Sequence, residues 1–497
     1  MVLQWSHMTD KATADPIFLS ASDLAKAILA RDISAIEALE AHLLQIRRHN
    51  PGLNAIVTLD EEEARRRALE ADDALARGQV WGPLHGVPVT FKDAFETSGL
   101  RTTAGHRPLA RYVPSRDATV VARLRSAGAI VLGKTNMPAL GGDYQTDNKI
   151  FGRSNSPWDP SRTPGGSTGG GAAAVAAGLS PLEIGSDIGG SIRVPSHFCG
   201  VFGLKPTEGR VSGAGHIPPL PGAPRNIRHL ISFGPLARSV EDLRTALSII
   251  SGPDGLDPNA TAVPLDTPSD RPLRERRFAW SDDFGDVPVT PETRSGLENL
   301  AAELGRLGCK VERRNPPDFD FQAAWRTCYE ISSFERHASG PLIERLIMIW
   351  GTTVMPMKSP MMKGFARGLR MSARSYSKAL AVRDRLIDAL ERLLQDWDAW
   401  ICPAASVPAF KHRSILAHAR PFRVRGRSVA YEMAAAAHTV PFNLTGSPAV
   451  VLPVAQSREG LPIGVQLVGR RWHDMDLLAV AEQLSEVTGP FRRPPGY

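Results

Sequence analysis

The sequence predicts an α/β fold in which a sheet carries helices on both faces. Two observations support this. The short apolar runs VPVTF (87–91) and AIVLG (129–133) are bounded by turn residues and rich in β-branched side chains, as buried strands are. Helix-patterned segments at 61–76 and 117–127 alternate with them, and such alternation builds a sheet covered by helices.

The N-terminal part is mostly helical from 22 to 78. Ser34 and Glu37 form a capping-box pattern ahead of Ile36, Leu39, Leu43 and Ile46 on one face. Pro51-Gly52 is expected to end that helix, and LNAIVTL (53–59) reads as a strand. The VPVTF strand delivers Lys92-Asp93 at its end. Residues 164–206 are dominated by Gly and other small residues, with a small-residue helix at about 171–178 and a strand at about 181–186. So many glycines are costly in plain scaffold and imply close backbone approach. A long surface connection at 254–275 leads to a helical region. DAWICPAAS (398–406) then reads as strand-to-turn, and PAVVLPVA and PIGVQLVG as two late strands.

Composition excludes several classes. Hydrophobic residues are 42% and charged residues 22% of 497, as in a soluble globular chain with a sizeable core. No apolar run is long enough to span a membrane, and the start has no secretory pattern. Met8 competes with Met1 as the natural start. The net charge of +7 is spread along the chain, without the aromatic-interleaved basic tract of a nucleic-acid groove. Cys199, Cys309, Cys328 and Cys402 lack metal or CxxC spacing and read as buried small side chains. No metal or cofactor is expected, and a cytoplasmic location is.

Three short motifs compete for attention. Gly128 to Thr135 matches a phosphate-binding P-loop, but Ala, Ile, Val and Leu stand where flexible residues must curl around phosphate. A nucleotide-binding protein using Lys134 is therefore a weak competitor. Gly165-Gly166-Ser167-Thr168-Gly169 matches a nucleophile elbow, but no hydrophobic strand precedes it. Ser375 to Lys378 matches SxxK without its companion motifs.

Longer motifs are more specific. GVPVTFKD (86–93), GKTNMP (133–138), PGGSTGG (164–170), GSDIGGSIRVPS (185–196), FGLKPT (202–207) and GLPIGVQLVG (460–469) occur in this order. With them the chain resembles the amidase signature family over most of its length. The resemblance implies a large mixed central β-sheet covered by helices on both faces. It implies a single domain over 8–497, with an N-terminal helical part (8–80), a catalytic core (81–250 and 390–497) and a variable, substrate-side helical insertion (276–390). It also implies a Ser-cisSer-Lys acyl-enzyme mechanism. By position Ser191 is the nucleophile, Ser167 the relay and Lys92 the base. The backbone N–H groups of Ile188, Gly189, Gly190 and Ser191 form the oxyanion hole, and Gly141 borders the substrate. Asp187 and Arg193 read as supports of the loop, and Thr168 replaces the commoner Ser without consequence for the relay.

The chemistry suits these residue types. A serine hydroxyl needs a base. Lysine serves only when neutral, so its value of about 10.4 must fall to near 7, at a cost of roughly 4 kcal/mol that burial can supply. The expected substrate is an apolar or aryl amide, with esters and carbamates open to the same acyl chemistry. A homodimer is compatible with such an enzyme. Six of the eleven methionines lie between Met348 and Met371. That segment reads either as an apolar lid over the acyl channel or, preferably, as an ordinary helical core segment. The A subunit of glutamyl-tRNA amidotransferase shares the triad, but its Tyr-rich segment is not found between about 340 and 385.

Overall fold

The computed structural model describes residues 15–338, 340–354 and 358–497. Met8, Met355 and Met357 lie outside these residues. The strands are β1 (Ile56–Leu59), β2 (Pro88–Lys92), β3 (Ile130–Thr135), β4 (Asp147–Asn148), β5 (Gly152–Arg153), β6 (Leu182–Asp187), β7 (Phe202–Lys205) and β8 (Ser232–Ala237). They continue with β9 (Arg277–Trp280), β10 (Lys310–Arg313), β11 (Ala399–Pro403), β12 (Phe422–Val424), β13 (Arg427–Val429), β14 (Ala449–Gln456) and β15 (Pro462–Val468).

Eleven of these form one sheet in the order β1-β3-β2-β6-β8-β7-β14-β15-β11-β9-β10. It is mixed. β3-β2-β6 and β11-β9-β10 run parallel, and the strands between β6 and β11 pair antiparallel. Strands β2, β3, β6, β7, β8, β11 and β15 are buried along their whole length. That is why they read as near-continuous apolar runs rather than alternating ones. The segment expected as a helical insertion also contributes β9 and β10, which extend the sheet beyond β11.

Ser34 and Glu37 form the expected capping box. The helix they start runs through Pro51 to Leu53, beyond the expected stop. A proline in the last turn forfeits only one helical N–H, and the stop comes instead at Asn54, in the left-handed region at φ 49°. Asn50 Oδ1 accepts the amides of Ala55 and Ile56, turning the chain into β1. All four cysteines are buried and free. Among the described residues no helix is long and apolar enough to cross a membrane.

The methionine-rich segment divides: its second half is the helical core segment expected, with Met361, Leu369 and Met371 buried, and its first half is not. The helix Leu342–Val354 buries no residue, and Leu342, Ile343, Ile347 and Trp350 are each more than 60% exposed. Its neighbour Pro360–Gly368 does contribute Met361 to the core. Ile349 carbonyl and Thr352 hydroxyl accept from Arg370, tying the exposed helix to the chain that follows.

Candidate active site

β2 and β6 are adjacent and parallel, with Thr90 opposite Glu183 and Phe91 opposite Ile184, so both end on the same side of the sheet. Lys92 is the last residue of β2 and Asp187 the last of β6. The crevice beyond such strand ends is where open α/β sheets place ligands. Ser167 reaches it from the loop before the helix Gly169–Ala176, and the Gly166–Ser167 peptide is cis. That helix sits tight on the end of β3: a Cβ on Gly170 would stand 2.5 Å from the Asn136 nitrogen. The glycines of this stretch thus answer the expectation of close backbone approach.

Lys92 is 1% exposed. Its Nζ is hydrogen-bonded to Ser167 Oγ at 2.6 Å and to Ser186 Oγ at 3.1 Å. Burial lowers its pKa to about 7, against the attraction of Asp187 and Glu183 and with help from the Arg336 cation. Glu183, one of these acids, is itself pushed up to about 7 by burial. Thr168 turns away: its hydroxyl reaches the Ser186 carbonyl at 3.5 Å, and its side chain packs where a Cβ on Gly185 would lie.

Ser191 stands in the turn between β6 and the helix Arg193–Cys199. Its carbonyl accepts the Thr168 amide at 3.1 Å, which binds the two serine loops together. Both hydroxyls border one cavity with Lys92 and Gly141. Among the described residues no hydrogen bond joins Ser167 Oγ to Ser191 Oγ, a contact of the kind that often tightens only when substrate binds.

Of the four amides expected to form the oxyanion hole, Gly190 is committed elsewhere. Its N–H donates to Asp187 Oδ1 at 2.8 Å, because the turn folds back over that carboxylate. Gly190 has φ +116°, and a Cβ there would meet Thr439 Oγ1 at 2.3 Å, so its role is to let the turn close. The N–H groups of Ile188, Gly189 and Ser191 have no protein acceptor among the described residues.

Asp187 and Arg193 do form an ion pair, at 2.9 and 3.0 Å, with both side chains fully buried. Burial alone would raise the Asp187 pKa, but Arg193 and Asn443 hold it well below the usual carboxylate range. Asp187 also accepts Ile192 N at 3.1 Å and Asn443 Nδ2 at 2.8 Å. Arg193 continues to the Thr439 carbonyl and Gln466. The pair therefore braces the turn from below, and no acid–base work is available to a carboxylate so held.

The cavity has a volume of about 20 Å³ and is walled by Met137, Leu140, Ile188, Ile217, Pro218 and Ile231. Gly141 lies in it with φ +70°, and a Cβ there would stand 3.3 Å from Ser167 Oγ. Sequence reasoning missed Ser186, His216, Arg336, Thr439 and Asn443. Only Ser186 lies within a motif, and the others approach from distant chain. His216 borders the cavity, but burial lowers its pKa to about 3, too weak a base to compete with Lys92. Among the described residues none of 347–371 borders this cavity.

The competing motifs resolve on geometry. Gly133 and Lys134 belong to the buried strand β3. Lys134 donates to the Phe95 carbonyl and to Thr97 Oγ1, and a Cβ on Gly133 would stand 2.2 Å from the Thr58 oxygen, leaving no loop to hold a phosphate. Ser375 is the N3 member of a capping box with Ser372, which accounts for the SxxK match.

The chain is similar to known proteins over nearly its whole length. An acylamidase of Rhodococcus erythropolis is 32% identical over 95% of this chain and 95% of its own length. The A subunit of glutamyl-tRNA(Gln) amidotransferase from Geobacillus thermodenitrificans is also 32% identical, over 95% of this chain and 98% of its own. The crystal structure of a bacterial aryl acylamidase of the amidase signature family superposes with a TM-score of 0.81 at 25% identity, covering 95% of this chain and 96% of that one. With the amidase family model also matched over residues 37–478, the chain belongs to the amidase signature family and is a hydrolase of carbon–nitrogen bonds.

Proposed function

We propose that this protein hydrolyses carboxylic amides through a covalent acyl-enzyme on Ser191, with Ser167 as proton relay and Lys92 as base. The observation that carries the reading is the 2.6 Å contact between buried Lys92 Nζ and Ser167 Oγ, with the lysine pKa at about 7. A neutral amine takes the Ser167 proton, and Ser167 takes that of Ser191. Ser191 Oγ then bonds to the amide carbon, and the carbonyl π electrons move to oxygen. The amides of Ile188, Gly189 and Ser191 receive that oxyanion; one oxyanion-hole donor is worth roughly 3 kcal/mol in a serine protease of unrelated fold. On collapse the C–N bond breaks, and the proton returns from Lys92 through Ser167 to the leaving nitrogen. Water repeats the sequence on the acyl-enzyme and frees the acid.

The apolar cavity wall favours an apolar or aryl acyl group, and the same steps serve esters and carbamates. The test is a panel of aryl amides, aliphatic amides, esters and carbamates, run with fluorophosphonate labelling. Ser191→Ala is expected to abolish both turnover and labelling, and near-normal activity in that variant would falsify the assignment. A second reading, glutamine-dependent amide transfer in a complex, draws on the amidotransferase relative. Preference for free glutamine together with co-purification of a second subunit would favour it.

A further inference from the structure

Arg336 borders the same cavity as Lys92, Ser167, Ser191 and Gly141. It sits in the last turn of the helix Phe321–His337. Its Nε is buried without a hydrogen-bond partner. Among the described residues its guanidinium makes no ion pair with a carboxylate and donates no hydrogen bond to a protein acceptor.

The acids that could have served it are engaged. Glu335 accepts from His229 and Tyr376, and Asp187 is held by Arg193 and Asn443. The groups that favour its charge are the phenols of Tyr329 and Tyr144, which burial keeps protonated. The helix C-terminus favours its charge only weakly, and although Arg336 is only partly buried as a residue, its Nε is shut off from solvent with nothing to donate to. A guanidinium left in this state beside a nucleophile lacks one component, an anion.

We propose that Arg336 anchors a carboxylate of the substrate, so that the amide cleaved at Ser191 carries an acidic group joined to it by a short apolar body. The inference rests on the amidase reading above and narrows its substrate class. The planar fork of Arg matches a carboxylate with two parallel bonds, and the same cavity carries apolar wall at Met137, Leu140 and Ile217 for the body that joins it to the amide. The acid belongs either to the acyl part, as in the monoamide of a dicarboxylic acid, or to the amine part, as in an N-acyl amino acid.

The test uses the purified full-length protein and matched pairs. Monoamides from oxamate to adipamate are compared with the neutral primary amides of equal length. N-acetyl and N-benzoyl amino acids are compared with their methylamides. The wild type is expected to prefer the carboxylated member in one arm. Arg336→Met should reduce the ratio of kcat/KM between carboxylated and neutral members by about 100-fold, as loss of one partner of a desolvated charge pair does. Arg336→Lys, which keeps charge but not the fork, should recover part of that ratio. Binding of the preferred acid to Ser191→Ala by calorimetry gives a readout free of turnover, and binding should be lost in the Ser191→Ala, Arg336→Met double variant. No carboxylate preference in either arm, or a ratio unmoved by Arg336→Met, overturns the anchor. Persistent turnover in Ser191→Ala with an Arg336-dependent preference would instead overturn the nucleophile assignment and leave the anchor standing.

Discussion

The most exacting consequence of the site is its pH dependence. Burial takes Lys92 from an ordinary 10.5 to about 7, a change of about 5 kcal/mol in the free energy of holding the proton. At 10.5 only about one lysine in 3,000 is neutral at pH 7; at 7 half of them are. With neutral Lys92 as the proposed base, activity rises as pH rises through the folded value. For an uncharged amide, kcat/KM should climb about tenfold per pH unit below pH 7 and level off above it. Glu183 titrates in the same range, at about 7, so the limb must be assigned. Lys92→Met should abolish the limb and lower activity by about 10²–10⁴-fold. Glu183→Gln should keep the limb and move it to lower pH, since the Glu183 charge favours protonated Lys92. The assay is initial rate against pH, paired with fluorophosphonate labelling rate. A limb near 10, or one lost in Glu183→Gln and retained in Lys92→Met, would refute the assignment of the base.

Other expectations follow from single contacts. Asp187→Asn leaves buried Arg193 without its counter-charge; it should cost about 3–5 kcal/mol of stability by chemical denaturation and weaken labelling of Ser191. Ser167→Ala removes the hydroxyl bonded to Lys92 Nζ, the proposed relay to Ser191, and should slow amide turnover by about 10²–10⁴-fold, with far-ultraviolet circular dichroism unchanged. Gly141→Ala places a methyl 3.3 Å from Ser167 Oγ at φ +70°; kcat/KM should fall measurably, and an unaffected value would show that Gly141 does not border the reacting groups.

Much of this protein was legible in its sequence, because several of its elements are short and chemically marked. β2, β3 and β6 announce themselves as apolar runs between turn residues, since they are buried on both faces. The ordered motifs around Lys92, Ser167 and Ser191 identified the family. The need for a neutral lysine predicts a buried Lys92 with a pKa near 7, and the structure has it 1% exposed with its pKa at about 7. The reading of Asp187 and Arg193 as loop supports also came from pattern, and the buried ion pair gives it a physical form.

Tertiary structure decided what depends on residues far apart in the chain. Gly190 looked like an oxyanion donor until the turn closed and gave its amide to Asp187. Met348 to Met371 could be core or lid by composition, and only packing showed one helix of that segment exposed. Asn443 joins Asp187 across 256 residues, a separation at which no local periodicity signals a contact. Arg336 is an unremarkable helix-terminal cation in the sequence. It acquires meaning only when folding brings it to the cavity that Ser191 also borders with no counter-ion among the described residues, because surroundings, and not residue type, decide what a charge requires.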